Sequence, residues 1–107
     1  MAASLADITI VIPYYSGKQS LNTLLNYLVS LSVIVVNNSA SKVDSRLSKK
    51  NVQVIDMPFN SGFAHACNVG ALAATTPWIL FLNPDVEISE SAIETLLAEV
   101  QDRSLQA

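Results

Sequence analysis

The residue best placed for chemistry is Asp85, at the end of the run Trp78-Ile79-Leu80-Phe81-Leu82-Asn83-Pro84-Asp85. The apolar part of this run is typical of a strand buried on both faces, and Pro84 stops further ladder pairing. Asp85 is therefore predicted at the carboxyl end of a strand, the edge where open α/β sheets bind ligands. An Asp after Pro is also ordinary turn chemistry, so the spacing alone leaves a ligand site and a plain turn equally open.

Three other predicted strands also end in polar residues. Residues 8–12 and 32–36 are mostly β-branched, and a third apolar run ends at Asp56. The polar segments that follow or end these runs are Pro13-Tyr14-Tyr15, Asn37-Asn38-Ser39 and, after Asp56, the turn Asn60-Ser61-Gly62-Phe63. Because the carboxyl ends of parallel strands share one edge of a sheet, these segments are expected to lie near Asp85.

Helical patterns separate the strands. Two stripes at i, i+3, i+4 and i+7 predict amphipathic helices, and residues 64–75 are small enough for a helix pressed against a sheet. In the second stripe, Ser91 and Glu94 have the spacing of a capping box. Residues 40–50 suggest a short irregular helix. The stripes are Leu21, Leu24, Leu25 and Leu28, and Ile93, Leu96, Leu97 and Val100.

The order β-α-β-(α)-β-α-β-α predicts an α/β fold, a three-layer Rossmann-like, mostly parallel sheet of about four strands with helices on both faces. The chain has 107 residues, enough for one domain. Hydrophobic residues make up 50% of it and charged residues 14%, which argues against disorder. The net charge of -3 lacks the basic footprint of a nucleic-acid-binding protein, and that class is set aside.

Localisation is predicted from the cysteine count and the N-terminus. A single cysteine, Cys67, excludes an internal disulfide and fits a reducing compartment. The first seven residues contain no basic residue, and the apolar run after them quickly reaches Pro13, which fits neither a signal peptide nor a membrane span. We expect a cytoplasmic location, with peripheral attachment at the inner face of the membrane as an option for a full-length protein.

The most specific pattern is Asn60-Ser61-Gly62-Phe63-Ala64-His65-Ala66-Cys67-Asn68-Val69-Gly70, followed after a short gap by Phe81-Leu82-Asn83-Pro84-Asp85. With the polar segments after the first two strands, it resembles the N-terminal half of a glycosyltransferase family 2 domain of the GT-A fold, in the rhamnosyltransferase-like branch. The resemblance covers nearly the whole chain. It implies that residues 1–107 are the nucleotide-sugar-binding half of such a domain and that the C-terminal acceptor half is absent.

The resemblance assigns a metal to Asp85, which matches the acid of the family's Asp-x-Asp motif. Mg²⁺ or Mn²⁺ prefers oxygen ligands and needs few carboxylates when substrate phosphates supply the rest. Such an ion would bridge the diphosphate of a nucleotide-sugar donor and neutralise charge on the leaving nucleotide. Asn83 is expected to touch the sugar or ribose.

The remaining donor contacts are assigned by the same resemblance. Pro13, Tyr14 and Tyr15 match the nucleobase pocket, although half-buried packing explains the tyrosines equally well. Where the family usually has Asp-Asn to recognise a pyrimidine, this chain has Asn37-Asn38, whose amides can still donate and accept. Loop bracing beside the diphosphate is assigned to Asn60, Gly62 and Asn68, and a purely structural turn is an equal alternative for the first two.

The implied reaction is inverting glycosyl transfer to an acceptor hydroxyl, in polysaccharide or cell-envelope synthesis. The family's general base lies in the second half of the domain, and neither Glu87 nor Glu90 matches it, so no catalytic residue is assigned. The alternative is a truncated, non-catalytic nucleotide-binding or interaction module of the same fold. A half sheet would also leave an apolar edge, which predicts self-association.

Overall fold

A computed structural model describes residues 4–16, 18–39 and 49–104 of the chain. A short 3₁₀ turn, Leu5–Asp7, precedes four strands and three helices. The strands are β1 (Ile8–Tyr14), β2 (Ser32–Asn37), β3 (Val52–Asp56) and β4 (Trp78–Phe81), and the helices are α1 (Lys18–Tyr27), α2 (Phe63–Ala73) and α3 (Glu90–Ser104). The predicted α/β fold is confirmed. Most of the predicted irregular helix, residues 40–48, lies outside the described residues.

The four strands form one parallel sheet in the order β3-β2-β1-β4. From β1 the chain first builds outward through β2 and β3, and it then returns to place β4 on the other side of β1. The strand order therefore reverses between β1 and β4. In open α/β sheets such a reversal opens a crevice at the carboxyl ends of the strands, where ligands bind.

Strand β1 is buried along its whole length because it has a paired neighbour on each side and helices over both faces. On one face, its alternate residues Ile8, Ile10 and Ile12 join the leucine stripe of α1 and Ile93 of α3 in the main core. On the other face, Val11 packs with Ile34 and Val36 of β2 and Ala66 of α2. The predicted leucine stripe of α1 is thus confirmed as core.

Strand β4 differs from its prediction. Its residues are half-buried to exposed, and Phe81 is 44% exposed, because β4 pairs only with β1 among the described residues and is an edge strand there. The apolar run correctly indicated a strand but not its degree of burial.

The start of α3 also differs from its prediction. The helix begins at Glu90, and the Ser89 hydroxyl accepts from the backbone N–H of Ala92 at 3.2 Å, so Ser89 rather than Ser91 caps it. In its apolar stripe, Ile93 and Leu97 are buried, whereas Leu96 and Val100 remain partly exposed. Two of the four stripe residues therefore belong to the core.

Helix α2 approaches the sheet closely at Gly70. A methyl group built on Gly70 would overlap a γ-methyl of Val11 and lie 3.2 Å from a γ-methyl of Val36. The small residues predicted to allow close approach therefore do so at this position. Among the described residues, the search for a helix long and apolar enough to cross a membrane found none.

We predict that Gly70→Ala lowers the free energy of unfolding by about 1 to 3 kcal/mol, because the added methyl overpacks the contact between α2 and β1. Urea unfolding followed by circular dichroism measures the change. Leu72→Ala on the same helix is the control, since Leu72 is 88% exposed and its loss should matter little.

The steric cause is tested by the double variant Gly70→Ala/Val11→Ala. Truncating Val11 removes the methyl groups that the new one meets, so the double variant should lose less stability than the sum of the two single variants. Strict additivity would contradict the overpacking explanation.

Candidate functional site

Two cavities open at the carboxyl edge of the sheet. The first has a volume of about 320 Å³ and lies between the loop after β1 and the start of α2. Two of its aromatic side chains, Tyr15 and Phe63, are 60% and 62% exposed, whereas Tyr14 is buried. We call it the aromatic cavity; its lining residues are Pro13, Tyr14, Tyr15, Asn38, Asn60, Gly62 and Phe63.

Asn38 ties the end of β2 to the loop before α2. Its side chain is 3% exposed, its amide nitrogen donates to the Gly62 carbonyl at 3.0 Å, and its oxygen accepts from the backbone N–H and the hydroxyl of Ser61 at 3.1 and 3.2 Å. Its own backbone N–H donates to the Tyr14 carbonyl at 2.8 Å. A single buried amide therefore fixes one wall of the aromatic cavity.

Asn60 ties the same loop to the end of β1. Its amide nitrogen donates to the Tyr15 hydroxyl at 2.6 Å, and its oxygen accepts from the Gly62 backbone N–H at 3.1 Å. Gly62 precedes α2 with φ of 88°, a backbone shape that other residues resist. The loop, the tyrosine and the helix start thus form one hydrogen-bonded unit.

Asn37 lies apart from the aromatic cavity. Its side chain is 2% exposed, its amide nitrogen donates to the Asp56 carboxylate at 2.7 Å, and its oxygen accepts from the backbone N–H and the hydroxyl of Ser39 at 3.1 and 2.6 Å. Asp56 itself is exposed. The two neighbouring asparagines therefore serve different segments, with Asn37 holding the end of β3 and Asn38 the loop before α2.

Asp85 borders the second cavity, whose volume is about 230 Å³. This space lies between the loop after β4 and the first turns of α1, and Glu87 borders it as well. Both acids are exposed. We call it the acidic cavity; its lining residues are Gln19, Ser20, Thr23, Pro84, Asp85, Val86 and Glu87.

The carboxylates of Asp85 and Glu87 are the oxygen ligands that Mg²⁺ and Mn²⁺ accept. Within the described ranges, however, no group of three or more His, Cys, Asp or Glu side chains is arranged to hold a metal ion. The donor set therefore suits an ion whose coordination is completed by a ligand, and not one enclosed by protein alone.

Other residues named from the sequence lie outside the two cavities as described. Asn68 is exposed on α2, and Asn83 is exposed, with its backbone carbonyl accepting from the Val86 N–H at 3.2 Å in the turn after β4. His65 is exposed. Cys67 is only partly buried, and desolvation raises the pKa of its thiol.

Comparison with known proteins identifies the family. The model of the glycosyl transferase family 2 domain matches residues 9–106, almost the whole chain. The chain belongs to this family. Family membership agrees with the strand-end polar segments and with the pattern from Asn60 to Gly70.

Curated relatives come from bacteria and an archaeon. The chain is 35% identical over 100 residues to the pre-mycofactocin glycosyltransferase of Mycobacterium tuberculosis, covering 90% of this chain and 21% of that protein. It is 29% identical over 98 residues to the teichoic acid poly(glycerol phosphate) polymerase of Staphylococcus epidermidis, covering 80% and 14%. It is 28% identical over 98 residues to the low-salt glycan biosynthesis hexosyltransferase Agl10 of Haloferax volcanii, covering 86% of this chain and 32% of that protein. The chain thus spans at most a third of the length of these three proteins.

Solved structures of GT-A glycosyltransferases share the fold. Residues 1–349 of TarS from S. aureus superpose with a TM-score of 0.70 at 22% identity, over 90% of this chain and 32% of that one. The mannosyltransferase PcManGT from Pyrobaculum calidifontis, solved in complex with GDP-Man and Mn²⁺, superposes with a TM-score of 0.66 at 20% identity, over 89% and 31%. The GT-A architecture expected from the sequence is therefore confirmed.

Sequence reasoning missed several residues that border the two cavities. Phe63 lies within the quoted pattern but was assigned to a turn, and no role was assigned to Gln19, Ser20 or Thr23. A usable signal was their position: each lies in the first turns of a helix that starts from the carboxyl edge of the sheet.

We predict that Asn38→Ala lowers the free energy of unfolding by about 1 to 3 kcal/mol, because it removes the hydrogen bonds of a buried amide to Ser61 and Gly62 and leaves the Gly62 carbonyl only its bond from the Ala66 N–H. Urea unfolding measures the loss. Asn68→Ala is the matched control, as Asn68 is exposed on α2, and it should change stability by less than about 0.5 kcal/mol. Equal effects of the two variants would contradict the bracing role of Asn38.

Proposed function

We propose that this chain binds the nucleotide-diphosphate sugar donor of an inverting glycosyl transfer, with a divalent metal ion held at Asp85. The observation that carries the proposal is the placement of the two cavities. The aromatic cavity follows the end of β1, and the acidic cavity follows the end of β4, on the two sides of the point where the strand order reverses. A ligand with a planar base and a charged diphosphate suits such a pair.

In this proposal Asp85 holds Mg²⁺ or Mn²⁺, and Glu87 is close enough in the chain to assist directly or through water. The ion's chemistry is to neutralise negative charge on the leaving nucleoside diphosphate. Asp85 would hold the ion through carboxylate oxygens at this exposed edge, where a diphosphate has room to supply further oxygen ligands. The complex of PcManGT with GDP-Man and Mn²⁺ supports this choice of ligands.

The nucleobase is assigned to the aromatic cavity, beside Pro13, Tyr14 and Tyr15. Asn38, Asn60 and Gly62 shape that cavity, and Asn83 is assigned to the sugar or ribose. Asn37 has a supporting role, because its buried amide and carbonyl oxygen are already bonded to Asp56 and Ser39. Asn68 remains a candidate for a diphosphate contact.

The acceptor and the general base are proposed to belong to a part of the family domain that this sequence does not include. A base must take the proton from the acceptor hydroxyl as the donor bond breaks. The names of the relatives support glycan or cell-envelope synthesis as the setting. A cytoplasmic location at the inner face of a membrane and a rhamnosyl donor are further parts of the proposal. A nucleotide-binding module without catalysis is the second candidate, favoured by Asn37, which stands where the family usually has an acid.

We predict that UDP, TDP or GDP binds this chain more tightly with Mn²⁺ than without it, because the ion links the diphosphate to Asp85. Isothermal titration calorimetry measures both conditions. Asp85→Asn should abolish the gain from Mn²⁺, since the amide keeps the shape of the side chain but removes its charge. Glu99→Gln, at an exposed position on α3, is the control and should behave like the wild type.

Binding that is independent of Mn²⁺ and unchanged in Asp85→Asn would refute the metal role. Absence of binding by a protein that is folded by circular dichroism would refute donor binding by this chain. Either result is separable from misfolding, because Asp85 is exposed and its replacement should leave the unfolding transition in place.

Self-association through β4 is a further part of the proposal. The outer edge of β4 has unpaired backbone groups among the described residues, and the exposed Phe81 lies on this strand. An apolar edge strand of this kind is a template for pairing with a second copy.

We predict a concentration-dependent monomer–dimer equilibrium in analytical ultracentrifugation, shifted toward monomer by Phe81→Lys, because a charge on an edge strand opposes pairing. Phe59→Lys is the control, since Phe59 is 67% exposed in the loop after β3, away from β4. A wild-type protein that stays monomeric at high concentration would contradict the proposal.

A further inference from the structure

The polar groups that border the aromatic cavity are already bonded to one another. The Asn38 oxygen accepts two hydrogen bonds from Ser61, and the Asn60 oxygen accepts one from the Gly62 N–H. The amide nitrogen of Asn38 donates to Gly62, and that of Asn60 donates to Tyr15. These side chains are held by the protein itself, so the shape of the cavity does not depend on a ligand.

Most of the side-chain hydrogen-bonding groups that remain unbonded at this cavity are donors. A primary amide has two N–H groups, so Asn38 and Asn60 each keep one after the bonds described, and the Tyr15 hydroxyl keeps its proton. Within the part of the chain that the structure describes, the lining contains no acidic or basic side chain. The cavity can therefore donate to a carbonyl oxygen, and the Asn60 amide oxygen, which accepts one bond, can also accept from a ring N–H.

The walls of the cavity offer aromatic surface. Tyr15 and Phe63 come from separate segments, both border the same space, and more than half of each side chain is exposed. Ligand cavities commonly measure roughly 300 to 1,000 Å³, so the observed volume of about 320 Å³ suits one planar ring system. Stacking on an aromatic side chain is tolerant of base identity because every base has a π-face.

From these observations we propose that the donor pocket is permissive toward the base: it holds uracil, thymine or guanine against Tyr15 and Phe63 and selects little among them. Each of these bases has a carbonyl oxygen that a spare amide N–H can meet, so the available hydrogen bonds do not discriminate. The proposal rests on the proposed function, because it assigns the base to this cavity. It adds Phe63 as a binding residue and predicts that donor choice depends on contacts to the sugar.

The test is calorimetric titration of the wild-type chain with UDP, TDP and GDP at saturating Mn²⁺, repeated for Phe63→Ala and for Phe59→Ala. Phe59 is the matched control because it is the same residue type, is 67% exposed and does not border the cavity. The expected result is three wild-type dissociation constants within about threefold of one another. Phe63→Ala should weaken all three by about fivefold or more, whereas Phe59→Ala should leave them unchanged.

A wild-type preference of about tenfold or more for one base would overturn the permissive pocket while leaving donor binding intact. Equal binding by Phe63→Ala and the wild type would overturn the role of Phe63. Failure of all three nucleotides to bind a folded wild-type chain would overturn the proposed function and this inference together. Tyr15→Phe separates ring from hydroxyl: it keeps the stacking surface, so it should bind more tightly than Tyr15→Ala.

Discussion

Complete burial of β1 is the constraint on which the rest of the structure depends. A strand with neighbours on both sides satisfies its backbone N–H and C=O groups within the sheet, and its side chains must then be apolar or paired. The one polar side chain within it, Thr9, is 3% exposed and shares a hydrogen bond of 2.6 Å with the Thr76 hydroxyl. Because β1 is fixed in this way, the point where the chain leaves the sheet, between Tyr14 and Tyr15, is fixed as well.

The two cavities at the carboxyl edge of the sheet differ in charge. The aromatic cavity is lined by neutral asparagine amides and aromatic rings, whereas the acidic cavity is lined by the carboxylates of Asp85 and Glu87. Neutral hydrogen bonds do not change with protonation between pH 5 and 9, so the aromatic cavity should keep its shape where an ion-paired loop would not. Its geometry is set by the fold, whereas the acidic cavity presents the two carboxylates to which we assign a divalent cation.

The sequence predicted the elements well because each carries a strong local signal. The β-branched runs and the leucine stripe of α1 specify strands and a helix by periodicity alone, and the family pattern indicated the architecture. Burial of β4 was not predictable, because it depends on which strand lies beside it. The cap of α3 was misassigned by two residues, since Ser89 and Ser91 are both suitable and only the backbone geometry decides between them.

The candidate site was predictable in position but not in its internal bonding. Proximity of the strand-end loops follows from parallel topology, so Tyr15, Asn38 and Asp85 could be grouped from the sequence. Two adjacent asparagines, in contrast, look equivalent in a sequence. Asn37 is the last residue of β2 and bonds to Asp56 at the end of the neighbouring strand, whereas Asn38 lies just beyond β2 and bonds to Gly62. Hydrogen-bond partners of this kind depend on which segments are neighbours in the folded chain, and no periodic pattern in the sequence indicates them.

The contact between Gly70 and Val11 fixes the distance between α2 and β1, because Gly70 has no side chain that could adjust between them. Phe63 lies on the same helix, seven residues before Gly70 and about 10 Å along the helix axis. The distance from Phe63 to Tyr15 therefore depends on how closely Gly70 packs against the methyl groups of Val11 and Val36 in the core. In homologous chains, a different residue at position 11, 36 or 70 would change the position of α2 against the sheet. The shape of the aromatic cavity would then change although every residue that borders it stays the same.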